Sequence, residues 1–330
     1  MKRFIVTGAS GHIGNNLVKT AEKLFPEAEI TAFTRRTVAK ELDGTKCTQV
    51  IGDICDEKFL SENIKDGDTV VHLAALIDLT DKKKEETYKI NFLAAKKICD
   101  VCFSKKDVRF IYVGSVDAIA KTGDGKISEP DGYFPEKIEG NYGKTKAMAT
   151  NYVLGKMKEN ESFPAAIVLP SAVVGINDFK PSAVGKVFAD TLSGKPEFGI
   201  KGGYNFVDVE DVCRVILTLC ENKKRGQYIV SGENVSVREV YGKINAVTGR
   251  KSRPIIIPTG LVYLFLPFVK VLNKITLKSL SEPHDYDSSK AKKELGFIPT
   301  PIDETFEKTV KWAKPDNLRG KTGIKNLRFG

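Results

Sequence analysis

Histidine and cysteine are too sparse and too scattered in this chain to build a metal centre. There are three histidines and six cysteines, and neither a histidine cluster nor a second cysteine pair accompanies the single C-x-x-C, Cys99 and Cys102 in "AAKKICDVCF". Those two fall mid-helix on one face and read as small buried hydrophobes rather than as a redox or zinc pair. The cysteines at 47, 55, 213 and 220 also sit in apolar or helical stretches. No disulfide framework is expected, and a reducing cytoplasm is the expected home. Long basic runs are missing as well. The net charge is +10, yet the densest clusters, "KKK" at 82–84 and "KKR" at 223–225, are three residues long. Without a basic stripe interleaved with aromatics, nucleic acid is not an expected partner, whereas an anionic small ligand suits the charge. The one suspicious apolar segment, "LVYLFLPFVKVL" at 261–272, is too short to cross a bilayer and is interrupted by Pro267. It reads as a buried helix, with a greasy substrate wall or a membrane-skimming surface as the alternative, so membrane contact is not expected. A strand starting at Lys2 leaves no room for a signal peptide. No internal repeat or low-complexity tract is present.

What is there is an ordinary globular composition, 41% hydrophobic and 28% charged, with a regular rhythm in its first half. Apolar, β-branched runs occur at "RFIVT", "EITAFT", "CTQVIGD", "DTVVHLAA", "VRFIYVGS" and "AAIVLPS". Helical periodicity fills most gaps, most clearly at 13–24, 56–64, 86–103 and 141–158. Continuous apolar strands alternating with helices predict an α/β fold, a Rossmann-type doubly wound parallel sheet. After Pro170 the strands shorten and Gly and Pro become denser. We expect a dinucleotide-binding domain over 1–170, with a returning segment at about 204–232 in which "QYIVSG" rejoins the sheet. A smaller C-terminal substrate lobe over 171–203 and 233–314 and a basic tail at 315–330 complete the expected layout.

Two pieces carry chemistry. "TGASGHIG" puts Gly8, Gly11 and Gly14 at three-residue intervals between a strand and a helix, with Ser10, His12 and Ile13 among them. Such a turn lets a pyrophosphate approach backbone amides at a helix N-terminus. Where an NAD site carries an acid, about 20 residues on, this chain has Arg35 and Arg36, and no acid before Glu41. A guanidinium matches a 2′-phosphate, which favours NADP(H) over NAD(H). Asp53 is placed either to accept from the adenine amino group or to cap the next helix, a job Asp56 could do instead. Leu73, Ala74 and Ala75 end the fourth strand with mostly small residues that let the cofactor pass, and His72 receives no catalytic role.

The second piece is "NYGKTKA", where Tyr142 and Lys146 are four apart on one helix face. A phenol with a reference pKa of about 10 is a poor base until a nearby ammonium lowers it. Ser115 ends the fifth strand on the same sheet edge as the glycine turn, so its hydroxyl and that of Tyr142 could bind one substrate oxygen.

Together with Asn91, Pro170, "NFVDVEDV" at 205–212 and "DYDSSKAKKELGF" at 285–297, these motifs resemble the extended short-chain dehydrogenase/reductase family in its epimerase/dehydratase-like branch. The resemblance covers nearly the whole chain. It implies that Tyr142 is the proton donor or acceptor and that Lys146 holds the nicotinamide ribose and depresses the tyrosine pKa. Ser115 then orients the carbonyl, Asn91 is structural or a relay member, Asp53 and Ile54 meet the adenine, and Pro170 and Ser171 face the nicotinamide. It also implies a small-molecule substrate and a leaning towards homodimers. Nucleotide-sugar members usually carry an acid after the second strand and an arginine before the "F-V-x-V-x-D-V" segment. Here Arg35 and Arg36 stand at the first place and Tyr204 and Asn205 at the second. The pattern is therefore similar to the dihydroflavonol-reductase and 3β-hydroxysteroid-dehydrogenase-like members. The expected activity is NADP(H)-dependent interconversion of a ketone or aldehyde and an alcohol on a fairly apolar molecule. A nucleotide-sugar epimerase or dehydratase using NAD, or a non-catalytic NADP(H)-sensing protein, are the alternatives.

Overall fold

The computed structural model describes residues 3–313 except Arg36, 122–124, 266–273 and Pro283. Arg36, most of the apolar stretch beyond Phe265 and the basic tail at 315–330 therefore lie outside the described residues. The six apolar runs form β1 (Arg3–Thr7), β2 (Glu29–Thr34), β3 (Thr48–Ile51), β4 (Thr69–His72), β5 (Arg109–Val113) and β6 (Ala165–Pro170). Six further strands follow: β7 (Ala172–Val174), β8 (Phe198–Ile200), β9 (Gly203–Asp208), β10 (Gly226–Val230), β11 (Glu233–Ser236) and β12 (Ile255–Ile257).

The main sheet runs β10-β6-β5-β4-β1-β2-β3, and every pairing in it is parallel. The strands read as unbroken apolar runs because each supplies two cores in alternation. Phe4, Val6, Val71 and Ile111 face a core shared with helices His12–Leu24 and Val209–Asn222. Ile5, Val70, Phe110 and Ile167 face another, shared with helices Ala95–Ser104 and Asn141–Glu159. This is a Rossmann-like, doubly wound sheet. Chain order reverses between β1 and β4, and a crevice outside the carboxyl ends of the strands opens at such a switch point. The "QYIVSG" run does return to the sheet, as edge strand β10 beside β6. Buried Arg109 at the start of β5 helps hold it there, donating to the Leu219 carbonyl at 3.0 Å and the Pro164 carbonyl at 2.8 Å, and to that of Lys224.

The remaining strands make a three-stranded sheet, β11-β9-β7, and a two-stranded pair, β12-β8. Phe188, Phe206, Ile244 and Phe306 fill a smaller core between the three-stranded sheet and the helices Ala183–Leu192, Val237–Thr248 and Ile302–Ala313. Asp208 ties the two parts together. It caps helix Val209–Asn222 through the Glu210 amide at 2.7 Å and accepts from the Thr305 hydroxyl at 2.7 Å. Among the described residues no helix is long and apolar enough to cross a membrane.

Candidate active site

At the end of β1 the chain turns with Gly8 at φ +72°, a conformation that favours glycine. A Cβ there would lie 2.6 Å from the Ala74 amide nitrogen. The turn is closed by the Gly11 amide on the Gly8 carbonyl at 2.9 Å. Gly11, in extended backbone, then caps helix His12–Leu24 without any side chain. The first-turn amides of that helix, among them those of His12 and Ile13, meet no side chain from the cap, which is the cradle a pyrophosphate needs. Ser10 lies within the turn. The His12 imidazole points away from it, bonded to the Ile176 carbonyl at 3.0 Å.

At the far end, Arg35 follows β2 and is exposed. Its charge helps hold the Asp53 carboxyl below the ordinary range, behind the larger effect of the Cys55 amide that donates to Asp53. Asp56, and not Asp53, caps the helix Glu57–Asn63, accepting from the Lys58 amide at 2.9 Å. This removes the capping explanation for exposed Asp53, beside partly buried Ile54. Glu41 is engaged with Lys180 at 3.0 Å.

Between these ends lies the loop after β4. Its Leu73, Ala74 and Ala75 are partly buried, and Asn91 fixes the loop's next residue. The Asn91 side chain accepts from the Leu76 amide at 2.7 Å and donates to the Leu76 carbonyl at 3.0 Å and to Thr145 Oγ1 at 3.2 Å. The single helix expected at 86–103 is in fact three pieces, Lys84–Tyr88, a π-helical turn Lys89–Ala94, and Ala95–Ser104. Such a turn is a frequent mark of functional sites, and here it carries Asn91. His72 is a strut, its Nδ1 2.7 Å from Thr7 Oγ1. Burial, with help from the Lys146 charge, brings it to about 3, so it stays neutral at pH 7.

The parallel strands carry Ser115, Pro170 and Ser171 to this same edge. Ser115 caps a short 3-10 turn, Val116–Ala118, by accepting from the Asp117 amide at 3.1 Å. Tyr142, on helix Asn141–Glu159, comes close enough to Ser115 for that hydroxyl to act on its phenol. The glycine turn, the Ala74 loop, Ser115 and the Tyr142–Lys146 pair are thus brought to one side of the sheet. Ser171 Oγ is buried and hydrogen-bonds to nothing within the described protein.

In one respect the electrostatics differ from the expectation. Burial raises the Tyr142 phenol above its ordinary value, Asp117 adds to the rise, and the nearby Ser115 hydroxyl only partly offsets it. The Lys146 amine does not counter this, because it is desolvated too, brought down to about 7, and donates to the Val113 carbonyl at 2.8 Å. An amine that is half neutral near pH 7 stabilises a phenolate weakly.

This has a measurable consequence. Between pH 7 and about 10.4, where an unfolded lysine titrates, the unfolded chain binds a proton that the buried amine does not, so stability rises with pH across that window. Lys146→Met is expected to flatten this rise, seen as a smaller increase of Tm from about pH 7 to about pH 9. An unchanged slope would mean that the amine stays charged in place.

Several site residues gave no signal in the sequence. Asp81 holds the start of helix Asn141–Glu159, accepting from the Asn141 amide at 2.7 Å. Gly143 lets that helix close on the strand end, since a Cβ there would lie 2.6 Å from the Asp117 carbonyl oxygen. Asp117 itself, Tyr204 and His284 form a polar cluster beside Ser115. Only the acid two residues beyond Ser115 could have hinted at it.

A doubly wound sheet, a glycine turn into a helix, and a Ser, Tyr and Lys on the same edge define an oxidoreductase of the short-chain dehydrogenase/reductase type. The model described as "NAD dependent epimerase/dehydratase family" matches residues 4–232, and the chain belongs to that family. It is an enzyme whose family uses an NAD(P) cofactor. The chain is 26% identical over 322 residues to the sterol demethylase protein B of Methylococcus capsulatus, covering 93% of this chain and 97% of that one. It is 29% identical over 332 residues to a Synechocystis protein named as a candidate dihydroflavonol 4-reductase, covering 94% of each. Among solved structures it resembles a Bacillus anthracis dTDP-glucose 4,6-dehydratase in complex with NAD, with TM-score 0.79 and 17% identity, over 97% of this chain and 98% of that one.

Proposed function

We propose that this protein is an NADP(H)-dependent oxidoreductase that interconverts a ketone or aldehyde and an alcohol on a fairly apolar small molecule. The observation that carries the reading is the gathering of Ser115 and Tyr142 at one edge of the sheet, with Lys146 buried behind them. The nicotinamide cofactor, when bound, supplies or accepts a hydride. Gly8, Gly11 and Gly14 leave backbone room for its pyrophosphate, and a Cβ at the first of them would meet Ala74. Ser171 offers a buried, unpartnered hydroxyl beside Pro170 for its nicotinamide end. In the reducing direction Ser115 donates to the carbonyl oxygen, stabilising charge as it develops there. Tyr142, protonated at neutral pH, gives its proton to that oxygen. Asn91 holds the loop after β4 in place, and Lys146 stands ready to bind a ribose hydroxyl.

NADP(H) is favoured by exposed Arg35 where an acid would otherwise grip the ribose, and by Glu41 being occupied with Lys180. An apolar substrate is favoured because Tyr204 and Asn205 stand where nucleotide-sugar members carry an arginine. Asn205 is buried and spends its amide on Asn234 at 2.9 Å. The names of the two relatives, a sterol protein and a dihydroflavonol reductase, point to flat polycyclic substrates. We assign cofactor binding to residues 1–170 with the returning segment, and substrate binding to the smaller lobe.

The test is selective stabilisation. NADPH is expected to raise Tm more than NADH at equal concentration, following RT ln(1 + [L]/Kd), and Arg35→Ala is expected to erase the difference. A larger shift with NADH supports the nucleotide-sugar reading instead. Oxidation of NADPH should then be screened against ketosteroids, flavanonols, simple aldehydes and nucleotide sugars. No turnover with any carbonyl, despite tight NADPH binding, supports the non-catalytic reading.

A further inference from the structure

We propose that the open face of the β8–β12 pair is a docking surface for an anionic lipid bilayer, on which the protein rests without crossing it.

Strands β8 and β12 are parallel, with Ile255 beside Phe198 and Ile257 beside Ile200. Residues two apart share a face, so these four side chains stand together while Gly199 and Ile256 turn the other way. That other face is closed, since a Cβ on Gly199 would lie 2.4 Å from Val237 Cγ1. The first face is closed only at its far end, where Ile200 is buried with Val262 and Leu277. At the near end Phe198 is 56% exposed, Ile255 57% and Ile257 38%. Leu261, in helix Thr259–Phe265, adds another apolar side chain that is 51% exposed. The Thr259 hydroxyl ties that helix to the pair, donating to the Lys201 carbonyl at 2.9 Å. Parallel strands are ordinarily covered on both sides. Single exposed apolar residues are common, but a contiguous group of them marks an interaction site.

Charge selects the occupant. Lys251 and Arg253 lead into β12, and Lys201 follows β8 with its amide on the Ile257 carbonyl at 2.9 Å. All three are exposed and make no ion pair among the described residues. The neighbouring acids are engaged elsewhere. Glu197 is buried and accepts from Asn245 at 3.0 Å, Asp190 holds Lys195 at 2.8 Å, and Glu239 closes the capping box of helix Val237–Thr248. A second copy suits this rim poorly, because a two-fold contact would set the patch against itself and oppose like charges. An anionic bilayer suits both features. The apolar side chains enter the boundary between headgroups and acyl chains, and the cations remain at the phosphates. Of the apolar stretch at 261–272, which alone gave no reason to expect a membrane, Leu261 belongs to this surface. No described helix could cross the bilayer, so the contact is with its surface.

The docking face is one helix away from the chemistry. Leu277, buried with Ile200, belongs to helix Lys274–Ser281. Ile275 of the same helix stands against Gly140, where a Cβ would lie 3.1 Å from Ile275 Cγ2. Gly140 immediately precedes the helix that bears Tyr142. Docking would therefore hold the Tyr142 helix near the phase in which an apolar substrate dissolves. That consequence, unlike the docking itself, rests on the proposed carbonyl chemistry.

The test is flotation of the full chain, without cofactor or substrate. One set of vesicles contains equal parts of phosphatidylcholine and phosphatidylglycerol, and the other phosphatidylcholine alone. The wild type is expected to float with the mixed vesicles and to bind phosphatidylcholine at least about tenfold more weakly. Phe198→Thr combined with Ile255→Thr keeps β-branched residues in the strands and should weaken binding to the mixed vesicles by at least about tenfold. Lys251→Gln combined with Arg253→Gln should weaken it by about tenfold and reduce its sensitivity to salt. Tm and its rise with NADPH report that each variant is folded. If the strand variant does not fold, Leu261→Ser decides in its place: weaker binding supports the proposal and unchanged binding sinks it. A wild type that does not float overturns the proposal. Flotation that the Phe198 and Ile255 substitutions leave unaltered also overturns it, by placing the contact elsewhere on the chain. Self-association that those substitutions abolish, without flotation, would make the face a contact between copies instead. Failure of the carbonyl reading looks different, because docking would then persist in a protein that turns over no carbonyl.

Discussion

Tyr142→Phe is expected to lose carbonyl turnover by about 10²–10⁴-fold, the usual worth of a positioned general acid, while NADPH still stabilises the protein as it does the wild type. The substitution keeps the ring and removes one hydroxyl on the Ser115 side of the site. Helix Asn141–Glu159 should be undisturbed, since its start is held by Asp81 through the Asn141 amide and its approach to the strand end is set by Gly143. Lys146 also keeps its Val113 contact. The loss should therefore fall on kcat and not on cofactor affinity. Because burial and Asp117 keep the phenol protonated, the wild-type enzyme should reduce carbonyls steadily through neutral pH and lose that activity only when made alkaline. Reduction with its rate and pH dependence unaltered in Tyr142→Phe would take this tyrosine out of the chemistry.

That such a prediction can be made from residue order reflects how much of the frame is local. The six apolar runs of the first half are six parallel strands, because a strand covered on both faces has to be apolar at every position. Phe4, Ile5 and Val6 are all fully buried although they point alternately to opposite cores. The glycine turn was equally legible, since Gly14 is dictated by backbone approach within a few residues and Gly8 by the positive φ of its own turn, although the Ala74 loop that crowds Gly8 is distant in sequence. The polar cluster beside Ser115, shared between the main sheet and the smaller lobe, was not. Asp117, Tyr204 and His284 are far apart in sequence, and only the fold brings them together. Tyr204 could be seen to stand where an arginine was missing, but not that it reaches back to Asp117. The Tyr142 environment misled for a similar reason. Four-residue spacing puts Lys146 on the right face of its helix, yet the spacing is silent on burial. Desolvation weakens the lysine and raises the tyrosine together.

Gly14→Ala is expected to lower stability by about 3 kcal/mol, at the upper end for overpacking, and to abolish NADPH-induced stabilisation even where the chain still folds. Alanine normally strengthens a helix relative to glycine, by about 1 kcal/mol, so propensity alone predicts the opposite sign. The contact distances decide between the two. A Cβ on Gly14 would lie 2.2 Å from the Gly8 carbonyl oxygen and 2.7 Å from the Ala9 Cα, and both obstacles are backbone. Neither can rotate away as a side chain would, so the helix must retreat from β1 or the turn must open. Gly8 is held at φ +72° against the Ala74 loop, and the turn's one internal bond, Gly11 amide to Gly8 carbonyl, uses the very oxygen that the new methyl strikes. Opening the turn therefore dismantles the phosphate cradle, whereas moving the helix disturbs the core built on Leu17, Val18 and Ala21. Thermal unfolding should show a fall of roughly 5–10 °C without cofactor and little further response to NADPH. A variant as stable as the wild type, or more stable, would show that the turn has slack and that the third glycine is not needed for close packing.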